Sequence, residues 1–470
     1  MEREPNILFI GVDALRARNL SCYGYPKKTS PNIDRLSKEG VLFEDAYCCI
    51  NTTDPSFTTI FSGKYPVSHG LLMHGAMIQK EDTLRLSRVR FLPEILKSVG
   101  YTTLAVDWLG RWHRRGYDYY GIGNEHCHEG KKEDNKKGKD RRRDDNFASL
   151  HKYIKTYLTP VRYFVKRMLP KLPLPLCSLL VNINGILRPP SKELDISQRA
   201  DSVSNMAIDL IKKNKNKKFF LFLHYWDTHS PYTTPKKHFY HLVKGFASRY
   251  DESIAFVDHE IGRVINSLEE HRILDKTIVI LTSDHGESLM EHGIYFDHHG
   301  LYDEVIHVPL IIRYPRQIPE GKRVKGFVQH VDIVPTLLHI LDIKNNFDFD
   351  GKSTIPLIYD KTQLRSAVYV EEAHTQRKRA IRTDRFKYIY ALSEREAVCR
   401  YCGYVHGGLE ELYDLSKDPG ETVNLIDDCP DIAKKLKKEL SEWVSFMEDK
   451  REKEYIRKKI KKLKASGRLK

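Results

Sequence analysis

Short apolar runs rich in β-branched residues alternate along this chain with stretches whose apolar positions recur every three to four residues. The runs at 6–11 (NILFIG), 102–106 (TTLAV), 218–223 (KFFLFL), 277–281 (TIVIL) and 309–313 (PLIIR) predict strands. Amphipathic stretches at 31–39, 92–99, 201–213 and 250–271 predict helices between them. Such alternation predicts an α/β fold, a mostly parallel central sheet flanked by helices. Three of the strands run into polar residues: Asp13 after the first, His224 to His229 after the third, Asp284 and His285 after the fourth. Ligands of open α/β sheets sit beyond the carboxyl ends of the strands, so these groups are expected to converge.

Two segments break the rhythm. Residues 123–190 open with a charge run and continue as FASLHKYIKTYLTPVRYFVKRML, where Phe147, Leu150, Ile154, Tyr157, Val161, Phe164 and Met168 fall at helical spacing among basic residues. That stretch reads either as a helical cap packed near the site or as a helix lying in a membrane interface. From about residue 346 the pattern turns to antiparallel strands, notably at 380–390, then ELYDLSKDPGETVNL and a long charged helix. The expected division is a main domain over 1–345, with 123–190 as a basic amphipathic insertion, and a smaller C-terminal α+β subdomain over 346–470.

Composition narrows the class. With 470 residues, 40% hydrophobic and 30% charged, the chain has the make-up of a soluble globular protein with one large core and an attached unit. No apolar run reaches the roughly 18 residues that span a bilayer, and MEREPNILFI leads straight into a strand pattern, so a cytoplasmic location is expected. The eight cysteines are scattered, as reduced thiols are. Cys399-Arg-Tyr-Cys402, with His406 nearby, is the only metal-like spacing, and plain thiols are the expected reading of a single such pair. The net charge of +15 gathers at 131–143 and 451–470, runs that would draw the protein to an anionic surface such as lipid headgroups. No nucleic-acid motif accompanies them, so nucleic acid is not expected as a partner. The oligomeric state is left open.

The candidate chemistry begins in NTTDPSFTTIFSGKYPVSHG, residues 51–70. Thr53 stands at the mouth of a helix with Pro55 expected at its first position, where a hydroxyl is ordinarily a cap. In SDHGESLMEHG, Asp284 and His285 follow a strand directly and make half of a metal site or, separately, a helix cap beside a surface histidine; Asp13 carries the same two readings. HYWDTHSPY and FDHHGLYDE add His229, His298 and His299, imidazoles suited to binding an anionic ester or protonating its leaving group. Asp227, His229 and His299 form an alternative second metal site. His69, His74 and His330 are read as structural.

The segments NILFIGVDALRARNLSCYGYPKKTSPNIDRLSKEGVLFEDAYC, TDPSFTTIFSGKYPVSHG, FFLFLHYWDTHSPY, TSDHGE, GLYDEVIHVPLIIRYP, FKYI and ELYDLSKDPGETVNL, in this order, resemble the sulfatase family of the alkaline-phosphatase-like superfamily. The resemblance implies that fold and a metal-dependent hydrolase acting on an anionic ester. It implies Asp13, Asp284 and His285 as metal ligands, Thr53 as nucleophile and a further contact to the metal, and His229 and His298 as contacts to the ester anion. The His285 position is often Asn in sulfatases and His in phosphoester-cleaving relatives.

Two departures matter. The family's usual nucleophile is a cysteine, oxidised to formylglycine within Cys-x-Pro-x-Arg, whereas this chain has Thr53-Asp54-Pro55-Ser56-Phe57. Ala14 stands where many sulfatases carry another metal-binding Asp. Threonine cannot become formylglycine, and a sulfated threonine has no exit by collapse to an aldehyde. A phosphorylated threonine can be hydrolysed at phosphorus. Exchanging a carboxylate for an imidazole also shifts the expected cation from calcium, still possible, toward manganese or zinc. Phosphate mono- or diester cleavage is therefore the expected reaction, with sulfate-ester hydrolysis without formylglycine, or anion binding without catalysis, as alternatives.

Overall fold

The run NILFIGV forms the strand Asn6–Val12, wholly buried, at the centre of a nine-stranded sheet. The computed structural model describes residues 4–465 apart from 88, 123–124, 127–198, 233, 236–245, 295–296, 345–346, 361 and 402. From edge to edge the strands are Lys322–Val324, Val41–Phe43, Leu310–Arg313, Thr277–Ser283, Asn6–Val12, Phe219–Tyr225, Thr102–Val106, Tyr119–Ile122 and Glu125–His126. The four around the centre, from Thr277–Ser283 to Thr102–Val106, run parallel, and Leu310–Arg313 pairs antiparallel with Thr277–Ser283. The central sheet is thus mostly parallel, as expected.

Strand residues alternate between two apolar layers, because successive side chains leave opposite faces of a sheet. Leu8, Ile10 and Val12 pack under the helices Pro31–Lys38, Ala200–Asn214 and Phe246–Glu270. Ile7 and Phe9 pack under Thr53–Ser62, Leu92–Ser98 and Ile333–Ile340. Register then fixes the site: Val12 pairs with Tyr225 on one side and Ser283 on the other. Asp13 and Asp284 therefore leave the sheet at one edge, with His224 one pair deeper.

The C-terminal part holds a four-stranded antiparallel sheet, Ala367–Glu372, Lys378–Thr383, Phe386–Ala391 and Glu410–Asp414 in sequential order. The single run at 380–390 is two strands, reversed where Thr383 Oγ1 accepts the Phe386 N–H. One face carries the helix Pro430–Ala465. The other face docks on the main sheet's loops through Tyr47, Tyr302, Val305 and Phe327. Most of the 123–190 insertion lies outside the described residues. Among those described, no helix is long and apolar enough to cross a membrane.

Candidate active site

The helix over Thr53–Ser62 starts two residues earlier than its proline suggests: Thr52 is the N-cap residue, and Pro55 sits in the first turn, where a missing N–H leaves nothing unpaired. Thr53 is consequently the first helical residue rather than the cap. Its Oγ1 lies 3.5 Å from His285 Nε2 and is almost fully buried. Phe57, one turn on, meets the His224 ring at 4.5 Å, so an aromatic packing contact occupies the position where the sulfatase motif carries arginine.

Asp284 and His285 emerge from the strand Thr277–Ser283 into a turn and cap no helix. Gly286 lets that turn press on its neighbour, since a Cβ there would sit 2.1 Å from the Glu304 carbonyl oxygen. Asp284 Oδ1 accepts the N–H groups of Ala14 and His285 at 3.1 and 2.9 Å, while Oδ2 points inward, 3.3 Å from His285 Nε2. Asp13 Oδ1 lies 3.8 Å from the same nitrogen, and Oδ2 lies 3.6 Å from His224 Nε2. His224 is held from behind by Asp107 at 2.8 Å.

Three imidazoles are set the same way. His229, His285 and His298 each place Nδ1 at 2.6–2.8 Å from a backbone carbonyl, of Ser230, Gly286 and Asn51 respectively. A carbonyl only accepts, so each Nδ1 carries a proton and Nε2 is the ring nitrogen left for contacts in the site. The His298 ring stacks on His285 at 4.2 Å and faces His229 at 5.6 Å. Burial, reinforced by His285, pushes His298 well below the usual histidine range, so it rests neutral.

The electrostatics of the two carboxylates diverge. Burial raises both, but His224, His229 and His285 around Asp13 outweigh it and hold Asp13 below the ordinary range. Asp284 is raised, by burial first and by Asp13 second. Both Asp13 oxygens and Asp284 Oδ2 are buried without a hydrogen-bond partner, and no Lys or Arg among the described residues pairs with them. Ligand atoms of Asp13, Asp284 and His285 lie within 4.8 Å of one another. Three buried carboxylate oxygens without a hydrogen-bond partner, beside the Nε2 of His285, suit a divalent cation, and Asp13, Asp284 and His285 fit one.

His299 stands apart: Nδ1 lies 3.8 Å from Cys399 Sγ, and the ring stacks on Tyr401 rather than beside Thr53. Asp227, His229 and His299 form no metal-competent group, although Asp227 is buried with both oxygens unpaired. His330 and His74, read as structural, both meet the first turn of the helix that carries Thr53. His330 Nδ1 lies 3.2 Å from Ser56 Oγ, and His74 Nδ1 lies 2.9 Å from Asp54 Oδ2. Sequence reasoning missed Asp54, Asp107, Arg111 and His113. Arg111 donates to Asp54 Oδ2 at 2.7 Å, with His113 Nε2 3.3 Å from Oδ1, which puts a half-exposed guanidinium at the helix start next to Thr53. Asp54 neighbours Thr53 in the chain, and that adjacency was the one available signal.

Comparison with known proteins agrees with this geometry. The family profile described as Sulfatase matches residues 5–343, and that of the N-sulphoglucosamine sulphohydrolase C-terminal region matches 290–445. The chain is 25% identical to N-acetylglucosamine-6-O-sulfatase of Bacteroides thetaiotaomicron, covering 90% of this chain and 83% of that protein. It is also 25% identical to an arylsulfatase of Clostridium perfringens, covering 90% of each. Among solved structures, the phosphonate monoester hydrolase of Agrobacterium radiobacter shares the fold with a TM-score of 0.64 at 18% identity, over 94% of this chain and 96% of that one. Strand-end carboxylates, a helix-start hydroxyl and a family profile covering most of the chain lead to one conclusion: this protein belongs to the sulfatase family of ester hydrolases.

Proposed function

We propose that the protein cleaves a phosphate mono- or diester through a covalent intermediate on Thr53. The observation that carries this reading is Thr53 Oγ1, an unoxidisable hydroxyl 3.5 Å from His285 Nε2 at the edge of the Asp13, Asp284 and His285 group. Asp13, Asp284 and His285 would hold a divalent cation, manganese or zinc by the mixed oxygen and nitrogen donors, which would neutralise charge on the ester and lower the hydroxyl's pKa. Thr53 Oγ forms the new bond to phosphorus as the bond to the leaving oxygen breaks. His298, which rests neutral, takes the hydroxyl proton and passes it to the departing oxygen while His229 contacts the ester anion; water then attacks phosphorus, the bond to Thr53 Oγ breaks, and the water's proton goes to Thr53. Asp107 holds His224 against Asp13, and Arg111 stands ready for a second negative group on the ester.

The test is turnover of bis(4-nitrophenyl) phosphate with manganese or zinc, in parallel with 4-nitrophenyl sulfate. Thr53→Ala is expected to lose at least about 10³-fold in kcat, and retained turnover overturns the nucleophile assignment. The sulfatase names of the curated relatives favour a second reading, sulfate-ester hydrolysis. Turnover of the sulfate alone would establish it.

A further inference from the structure

One cluster outside the catalytic group carries metal chemistry of its own. His299 follows His298 directly, yet its ring reaches the C-terminal hairpin closed by the Val398 and Val405 bridge. Within that hairpin the Cys399 N–H donates to Tyr404 O at 2.7 Å and the Gly403 N–H to Cys399 O at 2.9 Å, with Gly403 at φ +75°. The reversal brings His406 back beside Cys399, and the ligand atoms of His299, Cys399 and His406 lie within 4.8 Å of one another. His299 and Cys399 are both buried.

The spacing suits a thiolate-binding cation. Zinc bond lengths at tetrahedral angles place a sulfur and a nitrogen ligand about 3.6 Å apart, and Cys399 Sγ lies 3.8 Å from His299 Nδ1. The other nitrogen, His299 Nε2, lies 3.0 Å from Asp297 Oδ1, the carboxylate behind an imidazole that orients metal-bound histidines. Tyr401 stacks on the ring at 14° and fixes its plane.

We propose that His299, Cys399 and His406 bind a zinc ion that ties the loop carrying His298 to the C-terminal unit. One thiolate and two imidazoles form a softer set than the carboxylate-rich catalytic group, so the two sites differ in the spectra of a bound ion. The test loads the full-length protein, purified under reducing conditions, with cobalt(II). Wild type is expected to show a thiolate-to-cobalt charge-transfer band in the near ultraviolet. Cys399→Ser and His406→Ala are expected to lose the band and one equivalent of metal, whereas Asp284→Asn keeps the band. Absence of the band from wild type, or an unchanged metal count in Cys399→Ser with native circular dichroism, overturns the proposal and leaves a metal-free thiol beside an imidazole. Neither readout depends on turnover, so a failure of Thr53 as nucleophile leaves this test intact.

Discussion

Two pairs of carboxylates differ in how their charge is met. Asp303 and Glu421 gather around Lys387, fully buried, whose Nζ lies 2.5 and 2.7 Å from them. Asp13 and Asp284 gather around no such amine, and the nearest cationisable groups are imidazoles at 3.3 to 3.8 Å. Taking two anions out of water costs several kcal/mol each unless a counter-charge accompanies them. The first group folds with its own cation and joins the main sheet's loops to the C-terminal sheet; the second has no Lys or Arg partner among the described residues. Under the proposed function, its counter-charge would be a divalent cation from solution.

The contrast is broken most severely at the catalytic group. Asp284→Asn is expected to lower kcat/KM for the nitrophenyl phosphodiester by at least about 10³-fold, since a cation at such a site is worth several kcal/mol. Its metal-free stability, followed by urea unfolding, is expected not to fall, because one of two facing buried charges is gone. Lys387→Met does the reverse. It is expected to cost about 3 kcal/mol in the same unfolding measurement, by stranding the buried Glu421 and leaving the partly exposed Asp303 to Arg382 alone. A divalent cation at 100 times its Kd is expected to raise wild-type stability by about 2.7 kcal/mol and to add less in Asp284→Asn.

The smallest effect is in acid. Burial raises Asp303, but Lys387 and Arg382 outweigh it and hold the group down to about 2. A depressed carboxylate contributes stability above its unfolded value that is lost as pH falls, here from about 4 toward 2. Burial pushes Glu421 up to about 7, so it is largely protonated in that window, and within this pair the acid response belongs to Asp303. Wild type is expected to lose more stability than Lys387→Met over this range, the difference reporting Asp303.

The sheet, its flanking helices and the strand-end acids Asp13 and Asp284 were legible because apolar runs and the residues after them are local patterns. Thr53 was legible as a candidate through its proline, although the helix start was not: Pro55 suits any of the first helical positions. His299 was grouped with His298 because they adjoin in sequence, but neighbours in extended chain point to opposite sides. Asp107 left no signal, and Lys387 was visible only inside the FKYI segment, with no hint of its partners. Each meets its partner across 34 to 117 residues of chain, and no spacing rule reaches that far.

Gly286 has a reach beyond its own turn. Its N–H donates to Val305 O at 2.7 Å, so the bend that aims Asp284 and His285 rests on the short helix Asp303–Ile306. The opposite end of that helix is gripped by Lys387. A main domain severed from the C-terminal sheet would keep the Gly286 contact to Val305 but lose the Lys387 grip on the helix that supplies it.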